Sequence, residues 1–417
     1  MPCVRRYVAA LVLALVVTNA AAAAHAENWP GWRGPRGDGT SHEKHVPTRW
    51  SPSENIAWKV ALPGKGHASP IVWDDRLFVV TCDEATEQRL LLCYERATGM
   101  KLWQQVVLQA PLEGKHPLNS FASSTPATDG QLVYVSFLDR GEMLVAAFDF
   151  AGQQVWSTRP GPFSSKHGFC SCPVLFEDKL IVNGDHDGDA YLVALDCRTG
   201  ETVWKTERQN RTRSYSTPII RNIDGRVQMI LSGSKCVASY DPRDGALHWI
   251  IDGPTDQFVA SMVFNGELLF LTAGFPELHM MAIRPDGSGN VTDSHIVWRT
   301  RRGAAYVPSP ISAGEYFLVV SDGGVASCFE AATGKRVWME RLGTHFSGSL
   351  ISAGGLVYFT SDEGRTIVVR PGNELDVVAE NELGEFCYAS PAVSRGQVIF
   401  RGEQHLICIG AERTAKR

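Results

Sequence analysis

The chain has 417 residues, 44% hydrophobic and 20% charged, with a formal net charge of −5 at pH 7. That length leaves room for two or three average domains, and the slight acidic excess excludes a general nucleic-acid-binding surface. With 39 Gly, 22 Pro and 11 Trp, and no sustained helical period, the composition fits an all-β chain.

Residues 1–26 read as a secretory signal peptide. Arg5-Arg6 forms the charged part, Val8–Val17 the apolar part, and Ala24-His25-Ala26 a cleavage site of the A-x-A type. Cleavage near Ala26 removes both arginines and takes the net charge to −7. The apolar run is too short to span a bilayer, and no later run reaches 18 apolar residues. The mature chain is therefore expected to be periplasmic or secreted, soluble, monomeric and without a transmembrane segment. Nine cysteines remain, an odd number, and their pairing does not follow from the sequence.

Residues 27–54 form an irregular extension rich in Trp, Gly and Pro, including Trp29-Pro30-Gly31-Trp32-Arg33-Gly34-Pro35. Its two tryptophans are expected to cover a surface of the domain that follows. Asn55–Leu62 then reads as a lone strand carrying Trp58. From there a repeat sets in. Ala194-x-Asp196-x-x-Thr199-Gly200-x-x-x-Trp204 is a strand, a tight turn and a strand, with a glycine where the turn needs positive φ. Val193 to Asp196 alternates as a half-buried strand would. The frame recurs around Trp103, Trp156, Trp249 and Trp338, and in a diverged copy with an insertion ending at Trp298. Ahead of each hairpin stands a small residue, usually followed by Pro: Ser69, Thr125, Cys172, Thr217, Ser261, Ser309, Ser349 and Ser390.

These markers are 40 to 56 residues apart. Four short strands per unit at that period signal a β-propeller. Seven units are complete. The last, after Ser390, has three strands and no Trp strand, while Asn55–Leu62 is a Trp strand with no unit before it. Joining the two ends gives an eighth blade and removes both free sheet edges. The expected fold is all-β, an eight-bladed propeller over residues 55–410 with its last blade closed by the N-terminal strand, followed by a tail at 411–417.

The repeat resembles the PQQ-type propeller of quinoprotein alcohol dehydrogenases. The A-x-D-x-x-T-G-x-x-x-W unit matches that family's tryptophan-docking motif at Ala194, Asp196, Thr199, Gly200 and Trp204. Trp58, Trp103, Trp156, Trp249, Trp298 and Trp338 take the same structural role. The same architecture occurs in a non-enzymatic relative, the propeller subunit of the outer-membrane β-barrel assembly machine. The Trp-Pro-x-Trp-Arg-Gly-Pro extension is similar to that of exported propeller proteins of planctomycete-type bacteria. As an enzyme, the resemblance implies PQQ held by cations and aromatic stacking, Ca²⁺ held by carboxylate and amide oxygens, and adjacent cysteines against the quinone. Here Cys170 and Cys172 are separated by Ser171, and the long insertions that roof the cofactor are missing.

The loops leading into the inner strands gather cations and aromatics: Lys65 and His67; Lys115, His116 and Phe121; Lys166, His167 and Phe169; Arg211, Arg213 and Tyr215; Arg301, Arg302 and Tyr306; His345 and Phe346; Phe386 and Tyr388. The second loop set on that face is more acidic, with Asp83-Glu84, Glu142, Asp185-x-Asp187-x-Asp189, Asp322 and Asp362-Glu363. The expectation is a basic, aromatic channel mouth inside an acidic ring, with Arg213 and Arg302 both pointing into the mouth. Asp185-x-Asp187-x-Asp189 has Ca²⁺-loop spacing, but Ala190 stands where such a loop needs Gly, so a polar turn is expected. No Ser-His-Asp, zinc or phosphate-loop signature stands in a supporting context. The expectation is a non-catalytic exported scaffold, with no cofactor and no metal, that binds a protein partner or a small anionic ligand at the mouth. The alternative is a PQQ- and Ca²⁺-dependent oxidoreductase of alcohols or sugars.

Overall fold

The computed structural model describes residues 27–410. The signal peptide expected at residues 1–26, with its cleavage site, and the tail at 411–417 lie outside the described residues. There are eight antiparallel sheets and, among the described residues, no helix. Blades 1 to 7 span residues 71–109, 127–162, 174–207, 219–252, 263–300, 311–341 and 351–382. In the eighth, Ile56–Ala61 pairs antiparallel with His405–Ile409, with Trp58 opposite Cys408 and Val60 opposite Leu406. Blade 4 has a fifth strand. The insertion before Trp298 crosses to it and lays Gly289–Asn290 parallel to Leu247–Asp252.

The alternation in the repeat does not mark a core side and a solvent side. Tyr191–Leu195 is buried throughout. Val193 and Leu195 face blade 2, packing with Tyr134 and Trp156. Leu192 and Ala194 face blade 4, packing with Met229, Leu231 and Ala238. A period of two therefore assigns side chains to two neighbouring cores, because each blade is sandwiched between two others.

Two rings of contacts tie the blades together. The outer one is made by the tryptophans. The indole N–H of Trp58 donates to the Arg96 carbonyl of the next blade (2.9 Å), Trp103 to Phe150 (2.9 Å), Trp156 to Cys197 (2.9 Å), Trp204 to Pro242 (3.1 Å), Trp298 to Ala331 (2.9 Å) and Trp338 to Gly372 (3.2 Å). Trp249 donates to Pro285 (3.0 Å). The inner ring explains the small residue before each inner strand. The backbone N–H of Ser69 donates to the hydroxyl of Thr125 (2.9 Å), and that of Thr125 to the sulfur of Cys172 (3.2 Å). Thr217 donates in the same way to Ser261 (2.9 Å), Ser261 to Ser309 (2.9 Å), Ser309 to Ser349 (3.0 Å) and Ser349 to Ser390 (2.8 Å). Only a short side chain with an acceptor atom fits this girdle.

The extension does more than cover a surface. Trp29 is fully buried and pairs with Val72 through two backbone bonds of 2.8 Å. Pro30 accepts from Thr128 N–H, and Ser352 exchanges two backbone bonds with Gly39 and Ser41. The buried Arg33 guanidinium donates to the carbonyls of Asp38, Pro310 and Leu350. Residues 29–43 thus cross the propeller centre on the side of the first turns and pair with its inner strands. The chain then seats Trp50 between Tyr358 and Phe400 before entering blade 8.

Candidate channel-mouth site

The face opposite the extension is built from the loops into the inner strands and those joining second to third strands. The inner girdle fixes where each loop into an inner strand ends, so the side chains of those loops converge. The His67 ring lies 4.8 Å from that of Tyr388, and Phe386 stacks on Tyr388 at 6.2 Å. On the other side His116 meets His167 edge-on at 5.5 Å, and His167 meets Tyr215 at 6.1 Å. The Tyr215 hydroxyl hydrogen-bonds Ser165 (2.7 Å). Lys115 lies over Phe121, and Tyr306 donates to Gln257 Oε1 (3.3 Å).

Burial, then the charges of Arg401 and Lys115, push the His67 imidazole down to about 4, so it is neutral at pH 7. His167 is lowered by burial and by Arg213, Lys166 and His116. The Tyr306 phenol is pushed up by burial to about 12.

The basic mouth and the acidic ring are not separate belts. Arg213 forks onto Asp187 (2.6 and 2.8 Å), Arg211 reaches Asp189 (2.8 Å), and Arg301 reaches Glu277 (2.6 Å). Asp185, fully buried, takes Arg208 at 2.8 Å and Ser214 at 2.6 Å. Each carboxylate of the Ca²⁺-like triplet is thus paired with an arginine. The charge of Arg213 still acts on His167, Tyr215 and Tyr306. Arg302, by contrast, is exposed; its backbone N–H donates to the Thr300 hydroxyl (3.2 Å), and among the described residues its side chain enters none of these contacts. Lys166 and His345 are also exposed. Lys65 sits on a backbone bridge to Cys82.

The sequence reading missed Arg401. It ends the innermost-but-one strand of blade 8, is 2% exposed, and approaches His67. With Lys65, Gly66, His67, Tyr388, Gly402 and Glu403 it lines a recess of about 20 Å³. The only signal in the sequence was a charged residue following the apolar Val398-Ile399-Phe400.

These residues do not fit PQQ with Ca²⁺. The recess has room for about one water-sized group, against the few hundred cubic ångströms that a tricyclic cofactor occupies. A cavity of about 330 Å³ lies at the other end, between the extension and the inner strands of blades 1 to 4. No cluster of three or more metal-ligating side chains occurs among the described residues. Cys170 and Cys172 are free thiols whose ionisation burial opposes.

The chain matches the family profile described as outer membrane protein assembly factor BamB over residues 86–274 and 290–376. No curated protein matches it by sequence. Among solved structures, BamB from Moraxella catarrhalis is similar at 12% identity and a TM-score of 0.61, over 87% of this chain and 99% of that one. Quinohemoprotein alcohol dehydrogenase from Comamonas testosteroni is similar at 13% identity and a TM-score of 0.62, over 94% of this chain and 82% of that one. A europium-containing methanol dehydrogenase is similar at 12% identity and a TM-score of 0.54, over 92% and 89%. At these identities the likeness is one of fold.

Proposed function

Because the chain belongs to the family of outer membrane protein assembly factor BamB, we propose that it is an exported, monomeric, non-catalytic propeller scaffold whose channel-mouth face binds a protein partner or a small anionic ligand. The observation that carries this reading is which loops expose large apolar side chains: the others exposed among the described residues, Met100 apart, lie on the outer, fourth strands of their blades. Leu118 (72% exposed), Phe275 (51%), Phe386 (49%) and Leu278 all stand on mouth-face loops. The centre of the opposite face is taken by residues 29–43 of the same chain. Exposed aromatic and aliphatic anchors above a polar, hydrogen-bonded base are the usual make-up of a protein-docking surface. No helix among the described residues is long and apolar enough to cross a membrane.

A photo-crosslinking residue at position 118, 275 or 386 tests the reading, with position 100 on the opposite face as control. Discrete adducts in the exported fraction from the three mouth positions alone are expected. Equal yields from position 100 would overturn it. Fold likeness to the alcohol dehydrogenase favours the second reading, a PQQ- and Ca²⁺-dependent oxidoreductase. Saturable PQQ binding with dye-linked alcohol oxidation would establish that reading and remove the first.

A further inference from the structure

Arg401 is a buried cation without a counterion among the described residues. Its NH1 donates to the carbonyls of Ala68 (3.2 Å) and Val80 (2.5 Å), while Nε is buried with no hydrogen-bond partner. No carboxylate among the described residues comes within ion-pair distance of it. The nearby Glu385 is taken up by Lys59 (3.0 Å) and His405 (2.7 Å). Every other fully buried arginine side chain described above has either an acid close by or a fuller set of carbonyls. Arg208 has Asp185, and Arg33 has three carbonyls with Asp38 near. A buried charge left uncompensated in this way is strongly unfavourable.

The recess beside Arg401 opens to the mouth face. Gly66 leaves room there, since a Cβ on it would lie 2.3 Å from Arg401 NH2. Lys65, His67 and Tyr388 stand around it, and the Tyr388 hydroxyl has no hydrogen-bond partner among the described residues. Glu403 is on the rim, exposed, and is the one carboxylate among the lining residues. A volume of about 20 Å³ admits one oxygen-sized group, as at the end of a carboxylate, and excludes a ring.

We propose that this recess is a carboxylate-binding site, in which Arg401 supplies the buried charge and Tyr388 the hydroxyl donor. The carboxylate comes either from a small free acid or from an acidic or C-terminal residue of a docked partner. The site itself stands on Arg401 and the recess; only the second source rests on the mouth-face reading.

The test uses the mature chain and sodium formate, with sodium chloride at matched ionic strength as control. The His67 imidazole resonances and the melting temperature are followed. Formate is expected to shift both saturably. Tyr388→Phe should weaken formate binding by about tenfold, the worth of one hydrogen bond to a charged group. Arg401→Met should abolish it. Should Arg401→Met fail to fold, Tyr388→Phe and the His67 signals of the unaltered chain decide. A folded chain whose His67 signals do not respond to formate overturns the proposal, as does a folded Arg401→Met that binds formate normally. A tripeptide with a free C-terminus, run against its amide, separates the sources. Competition by the acid form alone supports the partner's carboxylate. Formate binding without such competition supports a free acid, and leaves the site standing even if the crosslinking test fails.

Discussion

Gly200→Ala is the sharpest probe of how the blades hold one another. Gly200 sits at φ +73°, in the turn that Trp156 of the preceding blade covers. A Cβ there would lie 2.6 Å from Cε3 and 2.7 Å from Cδ2 of the Trp156 indole, well inside contact distance. The left-handed backbone costs an L-residue about 1–2 kcal/mol. Displacing the packed indole costs about 1–3 kcal/mol more. If the ring moves, its N–H bond to the Cys197 carbonyl at 2.9 Å is lost as well, at about 1 kcal/mol. The expected loss is about 3–6 kcal/mol. Gly225→Ala is the control, because it shares the positive φ (+81°) but a Cβ would meet nothing within 4 Å. It should cost about 1–2 kcal/mol. Urea midpoints followed by tryptophan fluorescence give both numbers. Equal losses, within about 0.5 kcal/mol, would show that indole-on-glycine docking contributes nothing beyond backbone conformation.

Three further outcomes follow from other contacts. Ser309→Ala deprives the Ser261 N–H of its acceptor in a fully buried ring and should cost about 1–3 kcal/mol, read by thermal unfolding; an unchanged midpoint would mean the girdle adds no stability. Arg208→Met strands the buried Asp185 carboxylate and should cost about 3–5 kcal/mol; a loss under about 1 kcal/mol would show that water reaches Asp185. The His67 imidazole is held at about 4, below its ordinary 6.5. Between those values the unfolded chain binds the proton and the folded chain does not, so stability rises with pH and is lost on acidification from 6.5 to 4. The loss is at most about 3 kcal/mol, and His67→Gln should flatten it in urea midpoints taken across that range.

How much was legible from sequence follows the division between what repeats and what does not. Trp204 and its counterparts, the Thr-Gly turns and the small residue before each inner strand recur because every blade has the same two neighbours to satisfy. Repetition made them visible, and the composite blade from Ile56–Ala61 and His405–Ile409 followed from one missing strand at each end. The physical reason for the small residue stayed hidden, since a hydroxyl accepting a neighbour's N–H across 40 residues leaves no local trace. The fifth strand at Gly289–Asn290 was unreadable for a related reason: two residues carry no period.

The mouth was only half legible. Composition showed cations and aromatics gathered on one set of loops. It did not show that Arg211, Arg213 and Arg301 are spent on carboxylates of the adjoining loops, or that Arg302 stands outside the contacts. Nor could it show Arg401, which occurs once and lies at the end of an apolar strand. Features that recur in every blade serve the ring, because eightfold repetition is what closing it demands. Arg401 and Arg33 serve no such demand: neither belongs to the repeated frame, and both are buried guanidiniums whose charge the fold must bear. Arg33 answers with three carbonyls at the centre of the plugged end. Arg401 has two and an open recess beside it. A cost carried at one position, on the face left open, is most simply maintained by a ligand that relieves it.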